Sequence, residues 1–103
     1  MIKWVALLKR PSNMTVDELH EWWLGQHATL AKGLPGLRKY VISLVAGAQR
    51  ERPQYDGMAE LWFDSMDDAR RAQASPVGKD LEKDVNEYNI TVEEMYTEEH
   101  VML

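Results

Sequence analysis

Apolar residues recur along this chain in four short runs that predict β-strands. The first run, Ile2–Leu8, ends at a charged pair followed by proline. The runs over 37–45 and 55–63 predict a second and a third strand, which pair as a hairpin closed by a loop over 46–54. A mixed segment over 89–100 predicts the fourth strand.

The segment between the first two runs has the start and stop signals of a helix. Thr15 and Glu18 have the spacing of a capping box, in which each side chain accepts a hydrogen bond from the other residue's backbone N–H group. Gly33 and Pro35 stop helical structure. We therefore predict one continuous helix from Thr15 to about Lys32.

The segment after the third run predicts a second helical region made of two pieces. Ser65 is a good N-cap, and Ser75 followed by Pro76 interrupts the helix and starts a fresh one that runs to about Tyr88. The element order is β-α-β-β-α-β over residues 1–103, which predicts a single domain. We expect a ferredoxin-like α+β fold, with a four-stranded antiparallel sheet and both helical regions on one face.

The predicted strands are apolar on both faces. In the third strand, Ala59 and Leu61 alternate with Met58 and Trp62, and all four side chains are apolar. An antiparallel sheet with one face in water is polar at alternate positions. Something must therefore cover the second face, and sheet-to-sheet packing in a homodimer is the simplest solution. Trp4, Met58 and Trp62 are residues that we expect a monomer to leave uncovered.

Composition argues against several functional classes. The chain has 17 Asp and Glu against 12 Lys and Arg, and its net charge of −5 argues against nucleic-acid partners and anionic membrane surfaces. It has no cysteine and no spacing typical of a metal cluster, a phosphate-binding loop or a nucleophile triad, so we expect neither metal nor cofactor. No apolar run approaches the ~20 residues that cross a bilayer. We expect a cytoplasmic protein whose chemistry is proton transfer in an apolar pocket.

A histidine lies on the apolar face of the first predicted helix. At 3.6 residues per turn, that face carries Val16, Leu19, Trp23, Gln26, His27 and Leu30. His27 therefore points inward near the helix end, where the helix dipole favours its protonated form. Histidine is the side chain most easily poised for proton transfer near neutral pH. A catalytic histidine in a pocket and a core histidine bonded to a backbone carbonyl both fit this position.

Glu60 is the second candidate for proton chemistry, because it lies in the middle of an apolar strand. The small residues Gly57 and Ala59 suit close helix packing, so we assign their face to the helices and the Glu60 face to the space between two sheets. A carboxylate there is costly unless it meets water, a cation or a ligand. Two roles are therefore open for Glu60. It is an acid or base in a pocket, or it forms an ion pair with Lys3 or Arg38.

Aromatic residues supply the remaining site candidates. Tyr40 can donate a hydrogen bond to a substrate oxygen, although a core tyrosine with a satisfied hydroxyl fits equally well. Trp4, Trp23 and Trp62, together with Met58, are the candidate substrate-binding residues. Such side chains form a protein core more often than a ligand cage, and both interpretations remain open here.

Several motifs resemble those of the EthD domain family, and together they cover nearly the whole chain. The motifs are EWW at 21–23 with His27, LPGL at 34–37 with Tyr40, the stretch YDGMAELWFDS at 55–65, and ASP at 74–76. The short length and the segment LVAG at 44–47 are also similar to methylmuconolactone methylisomerases. In those isomerases we associate a thiol with the position at which Leu61 stands here.

The resemblance implies a dimeric α+β barrel in which two sheets pack face to face. It also implies that His27 is the pocket histidine, with Tyr40 and Glu60 as its candidate partners. Relatives with this barrel include cofactor-independent isomerases, polyketide cyclases, monooxygenases and haem-binding enzymes.

Three functions are compatible with this sequence. The first is a cofactor-independent isomerase or cyclase acting on a small lactone or an aromatic or polyketide-derived ring, in a pathway such as aromatic degradation. In it His27 moves the proton and Tyr40 polarises a carbonyl. The second is a non-enzymatic, dimeric accessory protein that binds a small ligand. The third is a haem- or oxygen-dependent enzyme in which His27 is the axial ligand.

Overall fold

A computed structural model describes residues 1–47 and 53–103 of the chain. The elements, in chain order, are β1 (Ile2–Lys9), α1 (Val16–Trp22), a π-helical segment (Trp23–His27), α2 (Ala28–Ala31), β2 (Lys39–Leu44), β3 (Gly57–Phe63), α3 (Met66–Ala74), α4 (Pro76–Glu87) and β4 (Thr91–Glu98). The predicted element order is confirmed. The predicted loop over 46–54 includes residues 48–52, which lie outside the described residues.

Within the described residues, four strands form one antiparallel sheet in the order β2-β3-β1-β4. The helices lie against one face of this sheet, as the ferredoxin-like α+β prediction requires. The predicted hairpin of β2 and β3 is present, with Tyr40 opposite Leu61. No helix in the described ranges is long and apolar enough to cross a membrane.

The predicted helix starts are formed by side-chain caps. Thr15 and Glu18 make the reciprocal hydrogen bonds of a capping box, at 2.9 and 3.1 Å. The Ser65 hydroxyl accepts a hydrogen bond from the backbone N–H of Asp68, and the Ser75 hydroxyl does the same for Gly78. These caps fix where α1, α3 and α4 begin, and thus which faces of the helices meet the sheet.

The first helical region departs from the predicted continuous α-helix, because its middle five residues are π-helical. Trp22, Trp23 and His27 are all buried, whereas Val16, which we placed on the same apolar face, is 41% exposed at the start of α1. Gln26, also expected on that face, is exposed. A π turn holds more residues than an α turn and changes which side chains face inward. The apolar periodicity alone therefore assigned part of this face incorrectly.

The main core lies between the sheet and the helices. It includes Trp4, Leu8, Leu19, Trp23, Leu61, Phe63 and Leu81. The assignment of the Ala59 and Leu61 face to the helices is confirmed. The expectation that Trp4 lies uncovered is wrong, because the register places Trp4 beside Leu61 and so on the helix side, where it is buried.

The opposite face of the sheet mixes apolar and charged side chains. Lys3 donates a hydrogen bond to Glu60 at 2.8 Å, so Glu60 forms one of the two ion pairs that we considered for it. The ammonium groups of Lys3 and Lys39 lie 5.3 and 4.8 Å from the ring of Trp62. Trp62 is only 9% exposed as a result, so our expectation that its ring lies uncovered is wrong. Met58, on the same face, is half-buried.

The start of β3 passes so close to the first helical region that only glycine fits there. A Cβ atom on Gly57 would lie 2.6 Å from the carbonyl oxygen of Ser43 and 2.7 Å from Cζ3 of Trp23. The Gly57→Ala variant should therefore push Trp23 or β2 out of place. We expect a loss of about 1–3 kcal/mol in the free energy of unfolding, measured by urea denaturation.

Gly25→Ala is the matched control, because a Cβ atom at Gly25 would have no neighbour within 4 Å. This variant should be as stable as the wild type or slightly more stable, since alanine is favoured over glycine in helices. Equal unfolding midpoints for Gly57→Ala and the wild type would contradict the steric argument.

Candidate active site

A cavity of about 310 Å³ lies between the sheet and the helices. This volume is at the lower end of the roughly 300–1,000 Å³ typical of small-molecule sites. The strands contribute Trp4, Leu8, Tyr40 and Leu61 to its walls, and the helices contribute Trp23, His27 and Leu81. The walls are thus mainly apolar and aromatic, with His27 and Tyr40 as polar groups set among them.

His27 is held in the cavity wall by a buried carboxylate. Its Nδ1–H donates a hydrogen bond to Oδ2 of Asp84 on α4 at 2.8 Å, and the two residues are 9% and 6% exposed. The other oxygen of Asp84 accepts a hydrogen bond from Nε2 of Gln26 at 2.6 Å. Because Nδ1 carries the proton in this pair, the remaining nitrogen, Nε2, has the lone pair of a base when the ring is neutral.

Burial controls the charge of His27. Desolvation lowers the pKa of His27 below its ordinary value of 6.5, and the hydrogen bond and negative charge of Asp84 oppose that shift only in part. The imidazole is therefore mainly neutral at pH 7. Our expectation that the helix end would favour the protonated form is wrong, because loss of solvation outweighs it.

An aromatic stack fixes the plane of the imidazole. The rings of Trp22 and His27 have centroids 4.4 Å apart and an interplanar angle of 30°, and Tyr88 lies on Trp22 at 5.9 Å. Asp84 therefore holds the edge of the imidazole and Trp22 holds its face. These two restraints keep the imidazole of His27 in one orientation.

Tyr40 is the second polar group in the cavity wall. Burial raises the pKa of Tyr40 to about 12. Its hydroxyl therefore keeps its proton near neutral pH and can donate a hydrogen bond to an oxygen of a bound molecule.

The edge of the cavity is polar and exposed. Gln73 of α3, Glu82 and Asn86 of α4, and Glu94 of β4 lie there. Nε1 of Trp4 donates a hydrogen bond to Oε2 of Glu94 at 2.7 Å, which fixes this carboxylate against the aromatic wall. These residues mark the mouth of the cavity, between the second helical region and the edge strand β4.

The structure brings together four of the seven predicted site residues. Trp4, Trp23, His27 and Tyr40 line the cavity.

The other three, Glu60, Met58 and Trp62, lie on the opposite face of the sheet and do not line it. Successive side chains of a strand point to opposite faces of the sheet. Leu61 points toward the helices, and its neighbour Glu60 therefore points away from them. A helix residue such as His27 cannot meet Glu60 through the sheet.

Asp84 and Glu94 were not among the site residues predicted from the sequence. Asp84 did leave a signal, because it follows Gly78 and Leu81 at intervals of three residues on the buried face of α4. An acidic residue on the apolar face of a helix indicates a buried polar partner. Glu94 lies two residues after Val92, on the same face of β4, which is the face toward the helices. It directly follows another acidic residue, Glu93, and gives no distinct signal.

In the part of the chain that the structure describes, no group of three or more acidic, histidine or cysteine side chains is arranged to hold a metal ion.

Solved structures with the same fold cover almost the whole chain. An EthD-family protein of Bacillus halodurans is 24% identical with a TM-score of 0.85, and the match covers 97% of this chain and 99% of that one. A dimeric ferredoxin-like protein of unknown function from Thermobifida fusca is 19% identical with a TM-score of 0.69, covering 91% and 88%. SnoaB of Streptomyces nogalater, a cofactor-independent oxygenase, is 15% identical with a TM-score of 0.69, covering 99% and 95%.

Among curated proteins, none matches this sequence significantly. The model of the EthD domain matches residues 11–89, which include His27, Tyr40 and Asp84. The match extends over well more than half of the chain and agrees with the fold of the Bacillus halodurans protein. The chain therefore belongs to the EthD domain family.

Proposed function

We propose that this protein is a cofactor-independent enzyme that transfers a proton on a small ring compound bound in the cavity. The observation that carries the proposal is the buried pair of His27 and Asp84, which leaves Nε2 of a neutral imidazole as a base in an apolar cavity wall. A neutral imidazole in such a place is suited to general base catalysis.

The reaction begins with removal of a proton by His27. Nε2 takes the proton from a carbon next to a carbonyl group, and the electron pair of the broken C–H bond moves onto the carbonyl oxygen. Tyr40 donates a hydrogen bond to that oxygen, and Asp84 stabilises the imidazolium that forms. The imidazolium then returns the proton at another position of the ring, which completes an isomerisation. Alternatively, the carbanion attacks a second carbonyl and closes a ring, and the imidazolium gives its proton to the alkoxide oxygen formed there.

The resemblance to methylmuconolactone methylisomerases supports the isomerase form of this proposal. The chain has no cysteine, and Leu61 stands in the cavity wall where we associate a thiol with those enzymes. The reaction proposed here therefore uses proton transfer alone. SnoaB, with its similar fold, is described as an oxygenase that works without a cofactor, which supports a cofactor-independent reaction in this cavity.

Replacement of His27 tests the proposed base. We expect the wild-type protein to accelerate exchange of the α-protons of 2-tetralone, a neutral ring ketone, in D₂O as followed by ¹H NMR. His27→Ala and His27→Gln should each reduce the enzymatic rate by about 10²–10⁴-fold while the protein stays folded. Glutamine keeps a donor for Asp84, so this variant guards against a loss of activity caused by unfolding.

His100→Ala is the control, since His100 is exposed near the end of the chain and lies outside the cavity. It should exchange the protons at the wild-type rate. An undiminished rate in folded His27→Gln would rule out His27 as the base.

The acid limb of the pH profile should report the lowered pKa of His27. Because only the neutral ring is a base, the exchange rate should persist down to pH 6.5 and fall at lower pH. The midpoint of this fall should equal the midpoint at which the NMR signals of the His27 ring protons titrate. Asp84→Asn removes the charge that raises the pKa of His27. Its midpoint should therefore move to still lower pH, and its rate should fall because the ring is less firmly oriented.

A midpoint above 6.5 in the wild type, or one that rises in Asp84→Asn, would contradict this account. Lys83→Ala is a useful control in α4, since Lys83 is exposed and does not line the cavity. It should leave both the midpoint and the rate unchanged.

We also infer that the protein is a homodimer joined through the outward face of the sheet. Val5 is buried on that face, and its neighbour Met95 on β4 is 43% exposed although apolar. Such a face suits contact with a second sheet. The dimeric ferredoxin-like protein of Thermobifida fusca provides a precedent in the same fold.

Sedimentation should therefore give about twice the chain mass of 11.9 kDa at micromolar concentration. Met95→Glu places a charge on the inferred interface and should shift the equilibrium toward monomer. Met102→Glu, in the exposed C-terminal segment, should not. A folded wild-type monomer at these concentrations would disprove the dimer.

A further inference from the structure

The mouth of the cavity carries negative charge without a positive counterpart among the described lining residues. Glu82 of α4 and Glu94 of β4 both line the cavity and are exposed, as are Gln73 and Asn86, whose side chains end in amides. The described residues that line the cavity include no lysine or arginine. A ligand that enters therefore passes two carboxylates and meets no ammonium or guanidinium group of these lining residues.

The interior does not compensate for this charge. His27 is mainly neutral near pH 7 because burial lowers its pKa, and the carboxylate behind it belongs to Asp84. Glu94 cannot swing freely away from the cavity, since one of its oxygens is held by Nε1 of Trp4. The carboxylate of Glu94 is thus held in place beside the cavity.

We propose that these carboxylates act as a charge filter, so that the cavity binds uncharged ring compounds and rejects ring compounds that carry a carboxylate. This inference rests on the proposed function, since it concerns the substrate of the same cavity. An entering carboxylate would lose its hydration and be repelled by Glu82 and Glu94, with no cation of the described lining to pair with. Among lactones, ketones and phenols, the neutral molecule is therefore the substrate, and a ring acid such as a muconolactone is not; the resemblance to the methylisomerases then extends to the isomerisation and not to the charge of their substrate.

A pair of ligands with nearly the same shape separates charge from size. 2-Naphthamide and 2-naphthoate differ in that the second is an anion at pH 7.5. We expect 2-naphthamide to shift the indole N–H signals of Trp4 and Trp23 in ¹⁵N-resolved NMR titrations. 2-Naphthoate should bind at least about tenfold more weakly at low salt, and the difference should shrink as ionic strength rises.

The double variant Glu82→Gln/Glu94→Gln tests which residues cause the difference. Glutamine at position 94 keeps an acceptor for Trp4, so the wall should stay in place. Binding of 2-naphthoate should become tighter by about tenfold, and binding of 2-naphthamide should not change. The control Glu21→Gln/Glu87→Gln removes two exposed carboxylates that do not line the cavity and should leave both affinities as they are.

Equal affinity of the wild type for the two ligands would overturn the charge filter, as would equal effects of the two double variants. Failure of both ligands to shift the tryptophan signals at millimolar concentration would overturn it as well. These measurements need no turnover. The filter can therefore fail while exchange of 2-tetralone persists, or hold while that exchange is absent, so the two proposals are tested separately.

Discussion

One buried hydrogen bond joins the two helical regions of this fold. His27 and Asp84 are 57 positions apart in the chain, and their contact links the end of the π-helical segment to α4. A carboxylate in such a position is costly unless its oxygens are satisfied. Gln26 and His27 meet that requirement with one donor each. The same bond orients the imidazole, so the stability of this corner and the chemistry of the site depend on one contact.

The π-helical segment makes that contact compatible with a dense aromatic core. It buries Trp22 and Trp23, which are adjacent in the chain, together with His27. Trp22 then stacks on the imidazole, while Trp23 lies against the start of β3 at Gly57. Segments of this kind are frequent at functional sites. Here the wide turn allows one tryptophan to support the histidine and the other to form the cavity wall.

The fold could be predicted from the sequence because its signals are local. The elements and their order are defined by short apolar runs, by the capping residues Thr15, Ser65 and Ser75, and by the stop at Gly33. The candidate site was predicted only in part, because it depends on contacts distant in sequence. The alternation of side chains along a strand was sufficient to place Glu60 on the face opposite to Leu61. No neighbouring residue in the sequence indicated that Asp84 would contact His27. The π turn leaves no composition signal that separates it from an ordinary helix.

The residues of the site divide between two layers of the molecule. The proposed base, His27, and its partner Asp84 belong to the helices, whereas Trp4, Tyr40 and Leu61 of the wall belong to the strands. Strand side chains can change without moving the helical pair, since that pair is held by helix-to-helix contacts. Substitutions in the sheet therefore reshape part of the cavity wall, while Trp23 and Leu81 of the helices form the rest of it. The buried polar pair is thus anchored in one layer of the molecule, and much of the surface that a bound molecule would touch belongs to the other.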